Sequence, residues 1–493
     1  MTENTRLAAT ESRAERQFSR RALLGGMAMG VAGAWGLSSG LARLAYDPAK
    51  PPQLYEYFLD NFWFEAADLE HQALNPPLKG NHTADIVIIG GGYTGLSSAY
   101  HLSRTFPNKK IVLLEGACCG YGASGRNGGF CDAGFSGLLQ YVESVGPERG
   151  RQAFDASLFG INQIKRLVAE EGVQCDFEEN GMLETAMNEE QAKQLEHHAA
   201  TYKAMGLETT LLTGKALEAE IKSPRYVAGL KFPYGGILNP AKLARGMKPL
   251  VEHAGVEVRE RTLVLRVMPG KVHRIETEMG EISAPTLVLG LNGYSPRLGF
   301  FRDRVLPLCN YVIATEPLTT AQWRSIGWQH RQGIADMRVL FDYQRPTADG
   351  RIVIGGSDAP YFAGDAPSSG NYKPALDALT RSLFTTFPQL EGLRIDHAWG
   401  GTMGFTMDFT PSVGVMGDDK NIFYGVAYNG EGVAFSQTAG RIICELIAGE
   451  QSALTKLCVV NHQIPYLGPS SLRLVFERLY KWYLVRSAAK TVR

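Results

Sequence analysis

The chain has 493 residues, 44% hydrophobic and 20% charged, with 50 basic and 50 acidic side chains and a formal net charge of zero. That length and apolar content supply a core large enough for two domains or one large one, and exclude a disordered chain. The balanced charge, with no basic stripe interleaved with aromatics, excludes nucleic acid as an expected partner, and seven cysteines without C-x-x-C spacing exclude a zinc ribbon or a dithiol centre.

The first element is basic. Arg6, Arg13, Arg16, Arg20 and Arg21 precede 21 uncharged residues, 22–42, that contain six glycines and few branched apolar side chains. Such a run is long enough to cross a bilayer but weak as a permanent anchor. The stretch SRRALL, residues 19–24, resembles a twin-arginine export signal, and the small residues Gly40 and Ala42 offer a cleavage site. Residues 1–42 are therefore expected to be a signal or an anchor, with the twin-arginine export machinery as a partner and a location in the periplasm or on the membrane facing it. A basic amphipathic helix of the mature domain is the alternative. Residues 43–79 form a lead-in segment.

An apolar strand at 86–89 then runs into Gly90-x-Gly92-x-x-Gly95, a helical pattern and a second apolar strand that ends at Glu115. The strand, turn, helix and acidic residue together make this spacing a dinucleotide-binding signature. Gly90 permits the tight turn, Gly92 lets the backbone approach a pyrophosphate, and Gly95 lets the helix pack on the strand. Tyr93 and Thr94 open the helix whose positive end faces the phosphates. Glu115 at the strand tip suits the two hydroxyls of an adenosine ribose and repels a 2′-phosphate.

Directly after that strand comes GYGASGRNGGF, residues 120–130, which is too polar and rich in glycine for an ordinary crossover. Ala123, Ser124, Gly125, Arg126, Asn127 and Gly128 are its candidate cofactor contacts. This stretch resembles the G-A-S-G-R-N-G-G segment of the D-amino-acid-oxidase-like FAD oxidoreductases, in particular the branch that contains γ-glutamylputrescine oxidoreductase, with monomeric sarcosine oxidase more distant. FWFEAAD at 62–68, RTLV at 261–264, LNGY at 291–294, YVIATEPL at 311–318 and VIGGSD at 353–358 resemble further parts of the family in the expected order. The resemblance implies an adenine contact from the backbone at Val264. It also implies a flavin-end turn at Asn429, Gly430, Glu431, Gly432 and Val433, followed by a helix. The positive end of that helix favours negative charge at the pyrimidine edge of a reduced flavin. Relatives often carry His where this chain has Glu431, so Glu431 is read either as a partner for a cationic amine or as a solvated carboxylate at a helix start. No Cys occurs in residues 399–414, where sarcosine oxidase carries its flavin link, so FAD is expected to bind noncovalently.

The implied fold is α/β: a Rossmann-like FAD-binding domain assembled from 80–150, 237–296 and 397–455, with a mixed or antiparallel-sheet substrate domain from 151–236 and 297–396. The charged helix around His197 and His198 is expected on the surface, without metal. Residues 456–493 form a basic, aromatic tail, read either as a membrane-surface helix or as a helix docked on its own domain.

The reaction this implies is oxidation of a C–N bond in an amine or amino acid, with hydride passing to the flavin and an imine released for hydrolysis. The acceptor is oxygen or a quinone. Candidate substrate-side residues are Glu431, Arg345, Tyr343, Tyr311 and Asn292. Arg345 is read either as a carboxylate partner or as a surface salt bridge, and the two tyrosines either as site residues or as sheet packing. An NAD-linked dehydrogenase and a flavin-binding protein without turnover are the competing readings.

Overall fold

The computed structural model describes residues 61–338, 340–356, 359–360 and 372–468, together with Leu479 and Trp482. The expected export signal and most of the basic tail lie outside the described residues. Among the described residues no helix is long and apolar enough to cross a membrane.

The strands Ile86–Ile89 and Ile111–Leu114 are apolar at every position, as strands covered on both faces must be. They form the centre of a six-stranded sheet, in which Thr286–Leu289 and Ile422–Val426 continue on one side and Glu257–Arg259 on the other. These five strands run parallel, and Ser412–Met416 adds an antiparallel edge. Alternate side chains serve two cores, because neighbouring strand residues point to opposite faces. Ile86 and Ile88 pack under the helices, whereas Val87 and Ile89 pack against a four-stranded sheet through Val264, Ile275 and Ile282.

On the helical face Tyr93–Thr105 and Phe435–Ala448 lie in close contact. A Cβ on Gly440 would come within 2.3 Å of Ser97 Oγ, and that hydroxyl donates to Gln437 O at 3.0 Å. The long helix Pro147–Ala169 packs here as well, with Gly160 against the Ala434 carbonyl. It was expected in the substrate part from residue 151. Its apolar stripe of Phe154, Ile161 and Ile164 instead belongs to the core of the dinucleotide-binding layer.

The second large sheet has eight strands, antiparallel except for the parallel pair Met182–Ala186 and Gly333–Asp336. Its edge strand Ile395–Phe405 pairs with Leu306–Thr315 along its length, so residues 397–405 belong to this sheet and not to the dinucleotide-binding part expected from 397 onward. The helix Lys373–Thr386 covers one face through Ala375, Leu379 and Leu383. The other face meets the lead-in helix Phe62–Ala66, whose Phe62, Trp63 and Phe64 are buried with Val312, Val353 and Trp399. Asn61 starts that helix by accepting from the Trp63 and Phe64 backbone N–H groups, as a good N-cap does.

Candidate active site

The first glycine turn opens a cleft of about 200 Å³. Gly90 has φ +105°, a conformation suited to glycine, and a Cβ there would meet Gly290 O at 2.6 Å. The helix Tyr93–Thr105 begins at Gly92 with no side-chain cap from that residue. Its first N–H group, on Tyr93, donates to Ser124 Oγ at 2.9 Å. Glycine at 92 and a small hydroxyl at 124, which takes only the Tyr93 N–H, thus leave room at an electropositive helix end in the cleft wall, a cradle that fits a pyrophosphate.

Beside the same turn Glu115 accepts from Gly91 N at 2.7 Å and Ala117 N at 2.9 Å. Thr262, Leu263 and Val264 form the wall beside it. Burial raises the Glu115 carboxyl to about 7, Glu260 adds repulsion, and the two N–H groups partly offset both. Hydroxyl donors of a ribose favour the ionised carboxylate. Dinucleotide affinity is therefore expected to rise with pH through about 7, and Glu115→Gln to flatten that dependence, as followed by titrating apoprotein with FAD.

The loop between the two halves of the cleft is held by its carbonyl oxygens. Trp63 Nε1 donates to Asn127 O and Trp399 Nε1 to Arg126 O, both at 2.8 Å, and Asn61 Nδ2 donates to Gly125 O at 3.1 Å. Arg126 donates to Tyr121 O at 2.8 Å and Gly400 O at 3.3 Å. The sequence marked both tryptophan segments, but it carried no sign that their indole N–H groups grip this loop. Trp63→Phe keeps the packing and removes one such bond, worth about 1 kcal/mol. Roughly fivefold faster release of the cofactor is the expected outcome in a fluorescence dissociation assay.

A larger cavity, about 650 Å³, adjoins the cleft, and the two share Ala123, Asn127, Met403, Gly430 and Val433 in their walls. The shared turn is unusual in its backbone: Ala427 (φ 61°), Asn429 (φ 53°) and Gly430 (φ 104°) all lie in the left-handed region. Asn429 holds the turn by donating to Ala427 O at 2.7 Å and accepting from Thr406 N at 2.9 Å. Strain concentrated in this way is frequent at functional sites. The helix Phe435–Ala448 starts beyond it, and Gly432, Val433 and Ser436 line the cleft.

Of the proposed cofactor contacts, Gly90, Gly92, Tyr93, Thr94, Glu115, Ala123, Ser124, Asn127, Val264, Gly430, Gly432 and Val433 line the cleft. Arg126, Gly128, Asn429 and Glu431 line the larger cavity instead. Gly95 and Gly125 sit behind the wall, where a Cβ would strike Gly90 O at 1.9 Å and Gly120 O at 2.3 Å.

The substrate-side candidates divide. Glu431 and Tyr343 line the large cavity, with Phe130 edge-on to the Tyr343 ring at 5.2 Å. Asn292 lies in the cofactor cleft, and its side chain accepts from Ala427 N at 3.0 Å. Tyr311 is fully buried in the second core. Arg345 meets neither expectation: it is 1% exposed and lines neither cavity. Its guanidinium donates to Leu238 O, Gly129 O and Pro346 O and stands 5.1 Å from the Trp63 ring, in the middle of the molecule rather than on its surface.

His197 is exposed, as expected, and His198 is partly buried; both border the large cavity. Asp132, Glu143, Glu184 and Met403 also line it and were not anticipated, because they come from four separate parts of the chain. Among the described residues no cluster of metal-ligating side chains occurs, and no cysteine lines either cavity.

Residues 85–446 match the family model described as DAO, FAD dependent oxidoreductase. The γ-glutamylputrescine oxidoreductase of Escherichia coli is 31% identical over 423 residues, covering 84% of this chain and 95% of that protein. Sarcosine oxidase subunit beta of Rhodobacter capsulatus is 23% identical over 380 residues, covering 75% of this chain and 86% of its own length. The crystal structure of glycine oxidase from Geobacillus kaustophilus superposes with a TM-score of 0.66 at 18% identity, over 78% of this chain and all of that one.

Proposed function

Because the chain belongs to the DAO family of FAD-dependent oxidoreductases, we propose that it oxidises a C–N bond of an amine substrate. γ-Glutamyl amines and other secondary or primary amines are the class considered. One observation carries this reading: the dinucleotide cleft and the large cavity meet at the Gly430 turn and Met403, so a substrate in the cavity faces the part of the cleft those residues line, whereas Glu115 lines the cleft alone.

FAD held there supplies a hydride acceptor for the carbon beside a neutral amine nitrogen. The chain's own residues bind and orient. Gly92 and the start of its helix receive the phosphates, Glu115 the ribose, and the Gly430 turn the pyrimidine edge. Tyr343 and Phe130 wall the substrate and exclude water, and burial pushes the Tyr343 phenol up, which keeps it neutral. No cysteine reaches the cleft among the described residues, which supports noncovalent binding. The resulting imine leaves for hydrolysis in water. The electron acceptor would be oxygen or a quinone, and reoxidation rates with each assign it. Bleaching of the flavin spectrum by an amine panel without oxygen tests the reaction; a spectrum unmoved by γ-glutamyl amines, secondary amines and D-amino acids would overturn it.

The paired Arg20 and Arg21 support export of the folded, cofactor-loaded protein to the periplasm, whether or not the signal is then cut. Changing both to Lys is expected to leave the protein in the cytoplasm, as read by cell fractionation.

A further inference from the structure

The charged wall of the large cavity is unbalanced. It consists of Arg126, Asp132, Glu143, Glu184 and Glu431 with His197 and His198. Arg126 is turned onto the Tyr121 and Gly400 carbonyls, with the Tyr121 and Phe64 rings against its guanidinium. His197 faces Glu143 at 3.4 Å, and His198 faces Glu184 at 3.3 Å. Asp132 and Glu431 have no side-chain cation as a partner among the described residues, and the carboxylate of Glu431 has no hydrogen bond there.

These groups converge on one place. The Tyr202 phenol, on the helix Glu189–Ala204, is pushed up first by burial and then by the charges of Glu184, Glu431 and Asp132 together. Burial without a counter-ion also raises Asp132 to about 6 and Glu431 well above the usual carboxylate range, and Glu184 repels both. Gly430 and Val433, on either side of Glu431, line both cavities, whereas Glu431 lines only the larger one. The acidic spot therefore lies a short distance along the cavity from the flavin end. The cavity volume falls in the range of roughly 300–1,000 Å³ that holds small ligands well larger than glycine.

We propose that Asp132 and Glu431, flanked by Glu184, form a subsite for an ammonium group, so that the cavity takes an aliphatic amine carrying a second positive charge. This deepens the amine-oxidising reading and rests on it for the identity of the first nitrogen. The reacting nitrogen must be neutral to release hydride from its carbon, so the ammonium between the acids is the far one. An amino acid that placed a carboxylate there would meet two acids without a counter-ion among the described residues, and would be rejected.

The test uses holoenzyme without oxygen and three ligands of equal length: a straight-chain five-carbon α,ω-diamine, the monoamine, and the ω-amino acid. The concentration that half-saturates the change in the flavin spectrum is read for each. The diamine is expected to saturate at roughly tenfold lower concentration than the monoamine, and the amino acid to bind weakest. Diamine affinity is expected to rise with pH through about 6, because ammonium binding favours the ionised acids. Asp132→Asn and Glu431→Gln are expected to weaken the diamine selectively, moving its half-saturation more than the limiting rate. Equal affinity for diamine and monoamine, or tighter binding of the amino acid, would overturn the subsite in the unsubstituted enzyme whatever the variants do. Tight diamine binding with no reduction by any amine would support the subsite and overturn the oxidation; reduction by all amines without preference would do the reverse.

Discussion

Gly92→Val is expected to give a folded protein that purifies without FAD. The Cβ at position 92 would stand 2.8 Å from Ser124 Oγ, the group that accepts from the first N–H of the helix Tyr93–Thr105. Ser124 can rotate away, so the fold tolerates the substitution, but the valine methyl groups then fill the space where phosphate oxygens approach the helix end. Gly95→Ala provides the contrast. A Cβ 1.9 Å from the Gly90 carbonyl forces the helix off its strand, so that variant is expected to fail in folding rather than in binding. Circular dichroism and visible absorbance separate the two, and retention of stoichiometric flavin by Gly92→Val would refute the placement of the phosphates.

The second large effect is on stability. Arg345→Leu is expected to lower unfolding free energy by about 3 kcal/mol or more, because hydrogen bonds from a buried charged group are strong and three are lost together, although Gly129 O keeps its bond from Leu238 N. The Leu238, Gly129 and Pro346 carbonyls would all lose their guanidinium donor. Two of these residues adjoin the flavin loop and the short strand pair of Phe130–Cys131 with Gly236–Ile237, so cofactor affinity should fall as well. Arg345→Lys keeps the charge but not the planar fork, and is expected to recover only part of the loss. Urea unfolding with and without added FAD measures both. A variant with an unshifted midpoint would contradict this structural role.

The dinucleotide-binding part was legible because its chemistry is local. Gly90, Gly92 and Gly95 lie within six residues, and the strands on either side carry the apolar pattern of a covered parallel sheet. The cavity was much less so. Glu184 and Tyr343 come from the eight-stranded sheet, His198 from Glu189–Ala204, Asp132 from the segment after Phe130–Cys131 and Glu431 from the turn after Ile422–Val426, and their meeting leaves no mark in sequence spacing. Glu431 was singled out through the family resemblance, as a departure from the His of relatives, and Arg345 was misread for a physical reason. A lone arginine in an alternating strand suggests a ligand or a surface ion pair, whereas a guanidinium satisfied by main-chain oxygens has no carboxylate in the sequence to announce it. The limits of the second sheet were blurred likewise. Residues 397–405 were assigned to the dinucleotide-binding part, yet they pair in this sheet, and Tyr311, Cys309, Asn292 and Arg126 crowd the positions where side chains on Gly400, Gly401 and Gly404 would stand.

The proposed reaction places a noncovalently held FAD at the Gly92 and Gly430 turns and an amine in the adjoining cavity. The most direct measurement is the visible spectrum of the purified protein under anaerobic conditions, before and after an amine is added. Flavin absorbance that is released intact on denaturation and bleaches with the amine is the expected result. A bound flavin that stays oxidised with every amine tested, or a protein that takes up no FAD at all, would contradict it.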